Sequence, residues 1–282
     1  MTQILAILTR HGSLQREIPD PDQQVMSGVR WGHADEFPAA AYWLQRALTW
    51  RLEQEAPARR SNRTLAEEVG AWLLGGQGVT AAVAQAAFDR LRMQGAFARP
   101  GVTEAAFAAW LSEPLDVGGQ PVAYRLAAQR AKYLATTMPA LIEGPGARDG
   151  RELRDWLMTL PGLGPKSASG IVRQWSGATD VALLDNYVLR VGQVMGLFGR
   201  KLTVERHYLE MEARFLQLCK AMNVGAPDVE AVMALELIRS PETARFLADY
   251  LKATEPKAKA APAPTPARRG QAPEQLSLVF TG

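Results

Sequence analysis

Cysteine and histidine are nearly missing from the chain. Cys219 is the only cysteine, and the three histidines, His11, His33 and His207, stand far apart. One thiol cannot close an internal disulfide, hold an iron–sulfur cluster or build a Cys-rich zinc site. The scattered histidines do not make a metal site either. A reducing compartment, the cytoplasm, is expected. No run of about 18 apolar residues occurs, so no membrane-spanning helix is expected. The apolar start, MTQILAIL, has no basic region before it and no clear cleavage site after it, so no signal peptide is expected. An excess of one charge is also lacking: 32 Lys and Arg face 29 Asp and Glu. The net +3 comes from the C-terminal end, where Lys252, Lys257, Lys259, Arg268 and Arg269 outnumber Glu255 and Glu274. The body before residue 252 is balanced. Any affinity for nucleic acid must therefore rest on local arrangement.

The 282 residues are 47% hydrophobic, enough to bury the core of one large or two small domains. The apolar pattern is helical almost throughout. Tyr42, Trp43, Leu44, Ala47, Leu48 and Leu52 recur at helical spacing, as do Leu65, Val69, Trp72 and Leu73, whose run ends at Gly75-Gly76. A further helix follows Thr80. Others are expected near 103–111, 122–138, 150–159, 166–176, 186–198, 203–222, 227–238 and 241–252. The fold class is all-α. Residues 1–35 read as an N-terminal irregular segment with at most a short β piece, and 36–251 as one helical domain. Residues 252–274, rich in Ala, Pro and Lys, read as a disordered tether, because they cannot bury enough surface to offset chain entropy. The tether leads to an apolar peptide at 275–280.

The most informative segment is LPGLGPKSASGIVRQW, residues 160–175, inside a helix–hairpin–helix expected at 150–176. Gly162 and Gly164 permit positive φ angles and close backbone approach. Pro165 suits the first turn of the second helix. The free N–H groups of hairpin and helix start then face outward as an anion site, and a DNA phosphate is a natural occupant. An ordinary helical corner would use a bare Gly-x-Gly; the whole string LPGxGxKxA is far more specific.

Lys166 opens the second hairpin helix, and Asp185 follows in VALLDNYVLRVG. Cleaving a base from its sugar calls for a nucleophile at C1′ and for stabilisation of a cationic sugar. A lysine amine attacks only when neutral, a form favoured by a helix's positive end and by partial burial. A covalent imine splits one hard step into easier ones. A carboxylate beside the sugar stabilises positive charge and handles protons. Taken alone, Asp185 is also a good helix N-cap; both roles together are expected.

With Leu160-Pro161-Gly162-Leu163-Gly164-Pro165-Lys166, Ser176-Gly177 and Leu184-Asp185-Asn186-Tyr187-Val188-Leu189-Arg190-Val191, the chain resembles the helix-hairpin-helix DNA glycosylases. It is most similar to their 8-oxoguanine branch without an iron–sulfur cluster. A weaker likeness lies in WGHADEFPAAAYWLQ and in Trp72-Leu73-Leu74-Gly75-Gly76-Gln77-Gly78-Val79. The resemblance implies two helical subdomains flanking a cleft, with Lys166 as nucleophile and Asp185 assisting. It implies base excision, such as that of 8-oxoguanine, with strand cleavage by β-elimination through a Schiff base. It further implies DNA contacts from Gly162, Gly164 and Ser167, and from Gln77 as the residue filling the gap left by an extruded base. The carbonyls of Met158, Leu160 and Leu163 would hold a monovalent cation; no other cofactor is required. Asn186-Tyr187 departs from the Thr-His of many members, so Tyr187 either reaches a phosphate or packs. A non-catalytic DNA-binding protein of the same hairpin type, and a glycosylase for modified phage bases, are the alternatives. Gln275, Leu278 and Phe280 resemble the bacterial sliding-clamp-binding peptide; a tail docking on its own domain is the competing reading. Double-stranded DNA, the clamp and a monomeric state are the partner expectations.

Overall fold

The computed structural model describes residues 1–54, 60–76 and 78–254. Among them lie eleven helices and three two-stranded antiparallel sheets. Of the irregular and β alternatives for residues 1–35, the chain starts with the β one, a regular hairpin of β1 (Gln3–Thr9) and β2 (Gly12–Ile18), in register from Gln3 opposite Ile18 to Thr9 opposite Gly12. Leu5 and Ile7 turn into the core while Ile4 and Leu8 face outward. Because the outward face is apolar too, ILAIL reads as an unbroken run and hides its period of two. A smaller hairpin follows, β3 (Gln24–Met26) with β4 (Val29–Arg30).

The helices surround two cores. The first gathers the N-terminal hairpin, α1 (Ala40–Glu53), α8 (Asn186–Val194), α9 (Val204–Ala221), α10 (Ala226–Arg239) and α11 (Pro241–Ala253). The second gathers α2 (Leu65–Leu74), α3 (Ala81–Met93), α4 (Glu104–Ser112), α5 (Ala127–Glu143), α6 (Gly150–Leu157) and α7 (Pro165–Ser176). The first part of the chain thus packs with its last third, and everything between makes the second core.

Local chemistry explains the starts. Thr64 and Glu67 form a reciprocal capping box on α2, and Thr80 and Thr103 cap α3 and α4. Three expectations need correction. First, α5 passes Pro139 instead of stopping at 138; Met138 and Leu141 are both buried, and their packing outweighs the lost backbone bond. Second, a short hairpin interrupts the helical body: β5 (Leu115–Val117) and β6 (Gln120–Val122), turning on Gly118 and Gly119 at φ +62° and +82°. Third, α11 runs to Ala253, past the expected start of the tether. The rest of that tether, and Gln275, Leu278 and Phe280, lie outside the described residues. No helix among the described residues is long and apolar enough to cross a membrane.

Candidate active site

The hairpin is built as its sequence dictates, with one exception. Asp149 caps α6, and Asp180 adds a bond from the Arg151 N–H at 2.9 Å. Beyond α6 the chain turns at Gly162, whose φ is +85°. A Cβ there would lie 2.5 Å from Tyr133 Cδ2 and 3.0 Å from Leu73 Cδ2, so only glycine lets the hairpin rest on α5 and α2. Gly164 is the exception. Its φ is −92°, not positive, because it is the N-cap of α7 and takes the extended backbone any residue adopts. No atom lies within 4 Å of where its Cβ would be. What glycine contributes there is an open approach. No side chain caps α7, Pro165 has no N–H, and among the described residues the amides of Lys166 and Ser167 meet no acceptor. That is a helix end ready for an anion.

Lys166 is the second residue of α7, at the helix's positive end as expected, and is exposed; the inward face of the helix begins at Ala168. Asp185 is half-buried at the N-cap of α8. Its Oδ1 accepts from the Tyr187 and Val188 amides at 2.8 and 2.9 Å. Its Oδ2 has no hydrogen-bond partner among the described residues, so one oxygen caps and the other is spare. Asn186 is exposed and Ser167 half-buried, while Tyr187 packs against the first core.

Between α7 and Asp185 runs a stretch without helix or strand, residues 181–184. Three consecutive amides in it are bound by side chains of α9 and α10. Ala182 N–H donates to Glu212 Oε1 at 2.8 Å, Leu183 N–H to Glu230 Oε1 at 2.9 Å, and Leu184 N–H to the Tyr208 hydroxyl at 3.2 Å. Tyr208 in turn donates to the Ala182 carbonyl at 2.6 Å. Each carboxylate is also paired with an arginine of the hairpin helices: Glu212 with Arg154 of α6, Glu230 with Arg173 of α7. Ser169 of α7 donates to Glu212 Oε1 at 3.1 Å, and Arg173 also holds the Val181 carbonyl at 3.1 Å. Burial pushes the Tyr208 hydroxyl up to about 12. Burial also raises Glu230, against the pull of Arg173. Burial pulls Arg154 down, but its bond to Glu212 and that carboxylate's charge outweigh this and raise it. None of these residues stood out in the sequence. The available sign was a glutamate set among the buried positions of α9, between Met211 and Phe215, and of α10, between Val229 and Met233.

Gln77 lies outside the described residues. The residues around it are held: Tyr124 donates to the Leu74 carbonyl at 2.6 Å, Arg130 to that of Gly75 at 3.1 Å and Arg125 to that of Gly78 at 2.6 Å. In the hairpin, the Leu160 carbonyl accepts from the Leu163 amide at 3.3 Å, and those of Met158 and Leu163 accept no bond outside the regular helices among the described residues. Each of the three carbonyls keeps a lone pair, the kind of donor a monovalent cation takes. A cavity of about 720 Å³ beside His33, Glu36 and Met195 is lined by none of these residues.

Residues 98–224, from just before α4 to just past α9, match the family model described as 8-oxoguanine DNA glycosylase. No curated protein matches the chain. Among solved structures, the 8-oxoguanine DNA glycosylase of Thermotoga maritima is similar at 21% identity, over 68% of this chain and 86% of that one, with a TM-score of 0.44. A trapped endonuclease III–DNA covalent intermediate, an estranged-adenine complex, is similar at 21% identity over 68% and 82%, with a TM-score of 0.46. The Methanocaldococcus jannaschii 8-oxoguanine glycosylase/lyase, bound to a 15mer DNA containing 8-oxoguanine, is similar at 18% identity over 69% and 86%, with a TM-score of 0.44.

Proposed function

We propose that the chain, whose residues 98–224 match the 8-oxoguanine DNA glycosylase model, is a helix-hairpin-helix DNA glycosylase that excises a modified base from duplex DNA and then cleaves the strand at the same sugar. The observations that support this reading are an exposed lysine on an open helix end and a capping aspartate at the start of the next helix that keeps one oxygen spare. The hairpin amides and Ser167 take a backbone phosphate, and the target nucleotide leaves the stack, at a cost of a few kcal/mol offset by those contacts. Asn186, exposed at the start of α8, adds a contact; Gln77 fills the gap.

Lys166, having given up a proton, attacks C1′ with its lone pair. The glycosidic bond breaks, and the base leaves with the bonding pair and takes a proton. The spare oxygen of Asp185 stabilises the positive charge that builds on the sugar. The C1′–O4′ bond then opens to a protonated imine, O4′ taking a proton. Loss of a C2′ proton expels the 3′ phosphate with its bonding pair, which nicks the strand. Met158, Leu160 and Leu163 carbonyls would hold a monovalent cation, which would supply positive charge to the hairpin. 8-Oxoguanine is the leading substrate by family. The protein acts as a monomer and reaches the sliding clamp through Gln275, Leu278 and Phe280.

Borohydride tests this directly. It should cross-link the protein to duplex containing 8-oxoguanine, and Lys166→Ala should lose the cross-link while still binding. An alanine variant that excises normally overturns the lysine assignment. Binding without excision or cross-linking, on 8-oxoguanine and on a panel of other modified bases, would leave a DNA-binding module in place of an enzyme.

A further inference from the structure

We propose that Glu230, with Glu212 and Tyr208, forms a set of positioning residues that fixes Asp185 relative to Lys166; this rests on reading those two as the catalytic pair. Residues 181–184 have no ladder partner, so their amides need acceptors from elsewhere. In an extended chain successive amides point to opposite sides. Binding three in a row therefore takes acceptors from more than one direction, which two carboxylates and a phenol from α9 and α10 supply. A one-residue slip would break all three bonds, so the register of the segment, and the place of Asp185 at its end, is fixed.

The same carboxylates grip the hairpin. Glu230 pairs with Arg173 and Glu212 with Arg154 and Ser169. Arg173 and Ser169 belong to the helix that carries Lys166. Each carboxylate is thus a bridge, with one end on the Lys166 helix or its hairpin partner and the other on the segment leading to Asp185. Stability alone does not call for such bridges. Glu212 and Glu230 are only 2% and 6% exposed, and replacing buried ion pairs by apolar side chains is often neutral or stabilising. A precise distance between two groups is what an apolar contact would not supply.

The test uses the full chain with Glu230→Gln and Tyr208→Phe, each alone and combined with Asp185→Asn. The measurements are single-turnover excision at saturating lesion duplex, duplex affinity, and borohydride trapping on a preformed abasic site. Glu230→Gln should slow excision roughly 10- to 100-fold, the usual consequence of a small misplacement, with affinity unchanged. Trapping on the abasic site should fall much less, because the aldehyde is already formed and no departing base needs the carboxylate. In the Asp185→Asn background the added substitution should cost nothing further. If Glu230→Gln fails to fold, Tyr208→Phe, which keeps its ring, carries the same comparison. Variants that excise at the wild-type rate, or losses that multiply with Asp185→Asn, overturn the positioning role. A wild-type chain that neither excises nor traps overturns the reading of the pair instead.

Discussion

Gly162→Ala and Gly164→Ala look equivalent in the sequence and should behave in opposite ways. At Gly162 an L-residue would be forced to φ +85°, which costs about 1–2 kcal/mol. Its Cβ would also sit 2.9 Å from Tyr133 Cγ and 2.5 Å from Cδ2. Relieving that overlap means moving a ring anchored on α5, at about 1–3 kcal/mol. The total is about 2–5 kcal/mol, which for a chain of this size lowers the melting temperature by roughly 5–15 °C. At Gly164 the backbone is extended and the space empty, so alanine should cost no more than about 1 kcal/mol as a poorer N-cap. Its methyl group would instead stand at the open helix end, and duplex affinity should fall while the fold holds. Thermal or urea unfolding of both variants, beside a duplex-binding titration at fixed salt, separates the two effects. A Gly162→Ala protein that melts with the wild type would refute the close-packing account of the hairpin. A Gly164→Ala protein as unstable as Gly162→Ala would refute the open-approach account.

Stability should respond to alkali through Tyr208. Its raised value, about 12 against 10, means the fold holds a proton the unfolded chain releases. That contribution is complete below pH 10 and is lost as pH rises through about 12, amounting to about 3 kcal/mol. Urea unfolding across this window should show a shallower decline in Tyr208→Phe, with the contributions of Tyr42 and Tyr124 unchanged; equal slopes would contradict the burial of that hydroxyl. Arg125→Ala combined with Arg130→Ala removes the bonds to the Gly78 and Gly75 carbonyls. Excision from duplex should slow several-fold for a loss of about 1–3 kcal/mol in unfolding, and undiminished excision would separate the 75–78 loop from base extrusion. Deleting residues 275–280 should leave excision on oligonucleotides intact and abolish capture by a purified clamp; retained capture would locate the clamp contact elsewhere.

What the sequence discloses is what neighbouring residues decide among themselves. The hairpin is legible because Gly162, Pro165 and Lys166 set their own backbone and their own helix start. The capping role of Asp185 is legible for the same reason. The β1–β2 hairpin is not, because Ile4 and Leu8 on its exposed face are as apolar as Leu5 and Ile7 on its buried one. The length of α5 is not, because Pro139 is a local stop overruled by the burial of Met138 and Leu141. The exposure of Lys166 depends on where α7 enters the second core, which no local pattern states. The buried bridges are the least legible of all. Arg154 meets Glu212 across 58 positions and Arg173 meets Glu230 across 57, and nothing near either member of a pair names the other.

That division has a consequence for how the two groups are held. Val188, just past Asp185, is packed in the first core, with Ala182 and Leu184 before it, whereas Ala168, Ile171 and Val172, just past Lys166, are packed in the second. Each core can therefore be well packed without specifying the distance between its own member of the pair and the other's. That distance is left to the contacts at the junction, where bonds from Glu212, Glu230 and Tyr208 meet the 181–184 backbone. Hydrogen bonds are short-ranged and directional, whereas apolar contacts tolerate sliding. A polar junction between two apolar cores accordingly concentrates geometric control in a few residues. Substitutions there should change the excision rate out of proportion to their effect on unfolding. Substitutions deep in either core should do the reverse, shifting the unfolding midpoint while the folded fraction reacts at the wild-type rate.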